Sequence, residues 1–153
     1  MSVAVERLRA LGFELPPVAP AVGNYVGAVS VGDLVFVSGH GPFEDGGLRR
    51  HGKLGGSVSM EEGRAAAEIV ILNALASLQA EIGDLDRVER IVKLLGMVNS
   101  EPGFGDQPKV IDAASDLLVH AFGDRGRHAR SAVGMAALPF DIPVEIEMIV
   151  QVK

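Results

Sequence analysis

The stretch from Val144 to Val152 constrains the fold more than any other. There Val144, Ile146, Met148, Val150 and Val152 alternate with Glu145, Glu147, Ile149 and Gln151, and a period of two sends successive side chains to opposite faces of a strand. The first set needs a cover, so this strand belongs to a sheet with something packed on one side.

The rest of the chain supplies that cover. Ser59, Met60, Glu61 and Glu62 form a capping box, in which the hydroxyl and the second carboxylate satisfy opposite backbone amides. Ile69, Leu72, Leu75, Ala76 and Ile82 continue from it at helical spacing until Gly83, a C-terminal stop. A second helix is expected from Asp106 and Pro108 through Val110, Ala114, Leu117, Leu118 and Ala121 to Gly123. A short helix over 3–11 precedes prolines that end it. Strands are expected over Tyr25 to Ser30 and Leu34 to Ser38 around Gly32, over Arg87 to Val98, and over Arg130 to Ala137 before the turn at 138–143. Residues 41–58, with Gly41, Gly46, Gly47, Gly52, Gly55 and Gly56, read as a loop.

The order predicts an α+β fold in one domain, 1–153, with two main helices on one face of a mixed sheet. Too few elements remain to cover the other face, so a neighbouring subunit is the economical cover. A hydrophobic fraction of 48% in 153 residues fits that expectation.

Several chemistries are excluded. The chain has no cysteine, so it has neither disulfides nor a thiolate nucleophile. Its net charge of −6 disfavours nonspecific nucleic-acid binding. His40, His51, His120 and His128 lack metal-ligand spacing, and no nucleotide-binding or serine-hydrolase fingerprint occurs. No metal or organic cofactor is expected. The first residues carry Glu6, Arg7 and Arg9 before any long apolar run, unlike a signal peptide. Ile69 to Leu78, broken by Asn73, is shorter than the ~20 residues of a membrane span. The expectation is a cytoplasmic protein without a membrane segment.

Three segments carry a resemblance: Gly23-Asn24-Tyr25-Val26 on the expected first strand, Val37-Ser38-Gly39-His40 ending the second, and Ala129-Arg130-Ser131 through Leu138-Pro139 to Val144-Glu145-Ile146-Glu147. Together they resemble the YjgF/RidA family, also labelled endoribonuclease L-PSP. That resemblance implies a chorismate-mutase-like fold, a homotrimer around a central β-barrel, and ligand sites in the clefts between subunits. It also implies cofactor-free hydrolysis of enamine or imine intermediates to 2-keto acids and ammonia.

By the same resemblance Arg130 grips the ligand carboxylate, a task suited to a planar guanidinium with paired donors. Glu145 holds or protonates around the attacking water. Tyr25, Ser38 and Gly39 line the ligand. His40 stands where the family has glutamine, His128 where it has proline, and Ala132 where the best-studied deaminases have cysteine. The family asparagine of the second helix has no clear match, the nearest polar residue being Asp112. These departures suggest a divergent branch.

A noncatalytic keto-acid sensor is the alternative reading. An RNA-cleaving role, using Arg49-Arg50-His51 and the patch Arg125 to His128, is a third. If the last two strands formed a simple hairpin, Arg130 and Glu145 would stand on the order of 20 Å apart, and one small ligand could meet both only across two chains.

Overall fold

The computed structural model describes residues 1–45, 47–48 and 50–153; Gly46 and Arg49, both placed above in the glycine-rich loop, lie outside the described residues. Helices α1 (Val3–Ala10), α2 (Met60–Ile82) and α3 (Gln107–Phe122) accompany strands β1 (Ala28–Val31), β2 (Leu34–His40), β3 (Phe43–Glu44), β4 (Gly47–Leu48), β5 (Val88–Asn99), β6 (Ala129–Met135) and β7 (Val144–Val152). Five strands form one mixed sheet in the order β1-β2-β7-β5-β6, and β3 with β4 makes a separate small hairpin. The expected α+β architecture is present, with a third helix, α1, docked beside α3.

Local signals set most boundaries. Ser59 Oγ accepts from the Glu62 amide and the Glu62 carboxylate accepts from the Ser59 amide, so both halves of the capping box form. Gly83 at φ +86 ends α2, and Gly123 at φ +62 ends α3. By length and composition α2 is long and apolar enough to cross a membrane, which the shorter stretch from Ile69 to Leu78 had not suggested. However, 61% of that apolar window is buried inside the fold. It is the central core helix, with Ala67, Val70, Ile71, Ala74, Leu75 and Leu78 wholly buried.

Those side chains meet Val35, Ile91, Leu94, Val98, Val144, Ile146 and Val150 from the sheet. Close seating of α3 depends on Gly96. A Cβ there would stand 2.6 Å from Ile111 Cγ1, so a larger residue would lift the helix from β5.

Two expectations fail, and one condition considered above is not met. Gly23 to Val26 precede the sheet instead of forming its first strand, because β1 begins only at Ala28. Residues 41–58 are not plain loop, since β3 and β4 pair within them. The last two strands are not a hairpin: β6 runs parallel to one edge of β5 and β7 antiparallel to the other. The α3 crossover carries the chain back to the same end of β5, which makes the parallel pairing possible.

The sheet face away from the helices carries Val29, Val31, Phe36 and Val133, each more than a third exposed. Leu95, Met97 and Ile149 stand half-buried on that side.

Candidate functional site

Glu145 lies on this open face. It pairs with Met97 of β5, while its neighbours Val144 and Ile146 are wholly buried on the helix side. Gly39 stands against it, in an irregular stretch of β2 where the register with β7 shifts between Val37 and His40. A Cβ on Gly39 would fall 2.3 Å from Glu145 Oε2 and 3.0 Å from its Cδ, so the carboxylate occupies the space a side chain would fill. Glu145 has no hydrogen-bond or ion-pair partner among the described residues. Burial pushes its pKa above the usual carboxylate value, and the neighbouring charge of Glu147 adds to the shift. A carboxyl shifted this way keeps its proton to higher pH than a solvated one, which favours a role as proton donor.

Ser38 and Tyr25 flank this region differently. The Ser38 amide donates to the Gly27 carbonyl at 2.9 Å and its hydroxyl to the Val26 carbonyl at 2.6 Å, tying the segment before β1 onto β2. Tyr25, in that tied segment, is 54% exposed and its ring packs over Gly23.

Arg130 lies on the other face. Its partner across β5 is Leu94, which is wholly buried under the helices, and its guanidinium reaches α3. Nη1 donates to Asp112 Oδ1 at 2.9 Å and to Ser115 Oγ at 3.1 Å. A guanidinium only donates, so the Ser115 hydrogen is free to point at His128 Nε2, 3.0 Å away. His128 Nδ1 sits 2.7 Å from the Gly126 carbonyl, an acceptor, so the proton of the neutral ring is on Nδ1. Burial lowers the His128 pKa, and the Arg130 charge adds to that, against the Gly126 hydrogen bond; the neutral ring is favoured. Ala132 shares the Arg130 face, opposite Gly96, and packs against the core.

His40 repeats this local pattern elsewhere. Its Nδ1 sits 2.6 Å from the Ser38 carbonyl and its Nε2 2.8 Å from Ser77 Oγ on α2. Both ring nitrogens are thus occupied, and burial lowers its pKa. Among the described residues no group of three or more His, Asp or Glu side chains converges as a metal site would require.

Within one chain, then, Glu145, Gly39 and Ser38 come together, and Arg130 and His128 come together, but the two groups do not meet. Arg130 and Glu145 lie on opposite faces, two strand spacings and three residues apart, on the order of 14 Å between Cα atoms. The separation expected from a hairpin is replaced by a shorter one with the sheet in between. An open concavity of about 490 Å³ along α2, lined by Met60, Glu61, Arg64, Ala65 and Glu68, includes neither residue.

Sequence reasoning named Asp112 without a role and missed Ser115. Their i,i+3 spacing on α3, flanking Ala113 and Ala114, was the available signal. Knowing that this edge of α3 lies over β6 required the strand pairing.

Comparison with known proteins points one way. The chain is 46% identical over 147 residues to Protein TCP17 of Trypanosoma cruzi, covering 95% of this chain and 92% of that one. The crystal structure of Atu1372 from Agrobacterium tumefaciens, a protein of unknown function, matches with a TM-score of 0.93 at 43% identity, over 99% of this chain and 93% of that one. A Shewanella oneidensis structure described as a "putative endoribonuclease" matches with a TM-score of 0.94 at 36% identity, over 99% and 100% of the two chains. Residues 5–149 match the family described as "YjgF/chorismate_mutase-like, putative endoribonuclease", and with that match spanning nearly the whole chain the protein belongs to the YjgF/RidA family it resembles in sequence.

Proposed function

We propose that this protein binds small carboxylate-bearing metabolites in clefts between the subunits of a homotrimer and hydrolyses enamine or imine intermediates to 2-keto acids and ammonia. The observation that carries this reading is the placement of Arg130 and Glu145 on opposite faces of one sheet. A guanidinium and a half-buried carboxyl, each with unused hydrogen-bonding capacity, can meet one small ligand where β6 of one copy adjoins β2 and β7 of another. The uncovered apolar face with Phe36, Val29, Val31 and Val133 supports association, because water contact there costs free energy that a second sheet removes. Three such faces closing on one another would give the central barrel.

The chemistry needs no cofactor. Arg130 anchors the carboxylate through Nε and the remaining hydrogen of Nη2, since Nη1 is occupied by Asp112 and Ser115 and Nη2 also donates to the Pro108 carbonyl at 3.5 Å. Protonated Glu145 gives its proton to the enamine carbon, forming the iminium. As carboxylate it then takes a proton from the water that attacks the C=N carbon, and collapse of the carbinolamine releases ammonia and the keto acid. Tyr25, held by Ser38 through the segment it ties, flanks the Glu145 side, whereas the His40 ring turns to Ser77 on the helix face and would act only by supporting this end of β2. His128 and Ala132 are placed on the Arg130 side.

Keto acid formation from freshly generated 2-aminoacrylate tests this. Arg130→Ala should lower kcat/KM by about 100-fold or more, while the fold persists because its ion pair is partly exposed. Unchanged turnover in that variant would remove the mechanism, and a monomeric protein at micromolar concentration would remove the cleft. Carboxylate binding without turnover of any imine would leave the sensor. For the RNA reading, the net charge of −6 counts against phosphate binding, and Glu62 beside Arg50 offsets part of that cation's charge.

A further inference from the structure

Arg130 does not stand as a lone cation. Asp112 holds its Nη1, and Asp112 Oδ2 has no partner among the described residues. The Asp112 side chain is 48% exposed against 22% for Arg130, so the acid reaches further toward solvent than the base. The acid is not needed as a helix cap, since it lies inside α3. Nor is it the only group that orients the guanidinium, because Ser115 holds the same nitrogen and His128 holds Ser115. What Asp112 alone adds is negative charge.

That charge alters what the site can recognise. A bare guanidinium attracts any carboxylate. A guanidinium beside an exposed carboxylate is nearly neutral, and an anion placed on its Nε and Nη2 edge, where only the long 3.5 Å bond from Nη2 to the Pro108 carbonyl competes, lies next to a like charge. A ligand with a positively charged N–H beside its own carboxylate reverses the balance. Its carboxylate takes the Nε and Nη2 edge, and its N–H takes Asp112 Oδ2, so the two ion pairs run antiparallel.

We propose that Asp112 is a specificity-determining residue, which makes the Arg130 site prefer α-amino and α-imino acids over keto acids of the same carbon skeleton. The inference rests on the carboxylate-binding reading above and deepens it. An iminium reactant engages both charges, whereas the keto acid left after hydrolysis has lost its N–H and keeps only one. Product release is thereby favoured over reactant release.

Calorimetric titration of the full-length protein with L-alanine and with pyruvate tests the point, since the two share a skeleton. The wild type should bind L-alanine at least about tenfold more tightly, the scale of one well-placed charge pair. In Asp112→Asn the gap should shrink to about twofold, mainly because pyruvate binds more tightly. Circular dichroism serves as the check on folding, and the half-exposed position predicts an intact fold. Equal affinities in the wild type, or an unchanged gap in the variant, would overturn the role of Asp112 while leaving carboxylate binding in place. If neither ligand bound the wild type, the carboxylate site and this inference would fall together.

Discussion

Two histidine–serine pairs, His40 with Ser77 and His128 with Ser115, share one local design and differ in what surrounds it. In each, Nδ1 donates to the carbonyl two residues earlier and Nε2 faces a helix serine. Ser77, on α2, is 6% exposed, and among the described residues its hydroxyl is hydrogen-bonded to no charged side chain. Ser115 is partly exposed and also accepts from Arg130. The first pair therefore stitches helix to sheet, and the second passes its order to a cation at the candidate site. The same hydrogen bonds serve different ends because a third group is present in one case and absent in the other.

Breaking each serine should separate these roles. Ser77→Ala leaves the partly buried His40 Nε2 without its donor, which should cost about 1–3 kcal/mol of stability. Chemical denaturation would register it, and ligand affinity per folded molecule should change less. A loss below about 0.5 kcal/mol would show that the buried pair is not the structural one.

Ser115→Ala should do the reverse. Water can replace the hydroxyl at a partly exposed position, so stability should shift by under about 1 kcal/mol. Ligand affinity should fall about three- to tenfold as Arg130 loses one of its two fixed partners on Nη1. Calorimetry on the folded variant would measure this, and equal damage to stability from both serine variants would erase the contrast.

The smallest effect is in pH dependence. Both imidazoles have pKa values lowered from 6.5, chiefly by burial. A folded value below the unfolded one means that the unfolded chain takes up protons first. Each histidine thus contributes stability that is present above about pH 6.5 and lost as pH falls through its folded value. Thermal midpoints measured across that window should decline, and His40→Gln or His128→Gln should each flatten part of the slope. Only the second should also flatten the decline in ligand affinity, since a protonated His128 offers Ser115 a donor in place of an acceptor and adds a charge near Arg130.

Much of this architecture was legible in the sequence. The alternation in β7 fixed its two faces, and the Ser59–Glu62 box with Gly83 fixed the ends of α2, because each pattern is satisfied within a few residues of itself. Arg130 and Glu145 were reached differently, through the resemblance of the motif segments to the family. Strand pairing was not legible. That β6 would join β5 in parallel, instead of folding back on β7, depended on α3 seating over Gly96, a contact between residues far apart in the chain.

From that seating follow the opposite faces of Arg130 and Glu145 and the meeting of Asp112, Ser115 and His128 around one guanidinium. The amino-acid order set the periodicities and the caps, which depend on near neighbours. The tertiary structure decided which charges face each other, because that choice depends on how whole elements bury their apolar sides together.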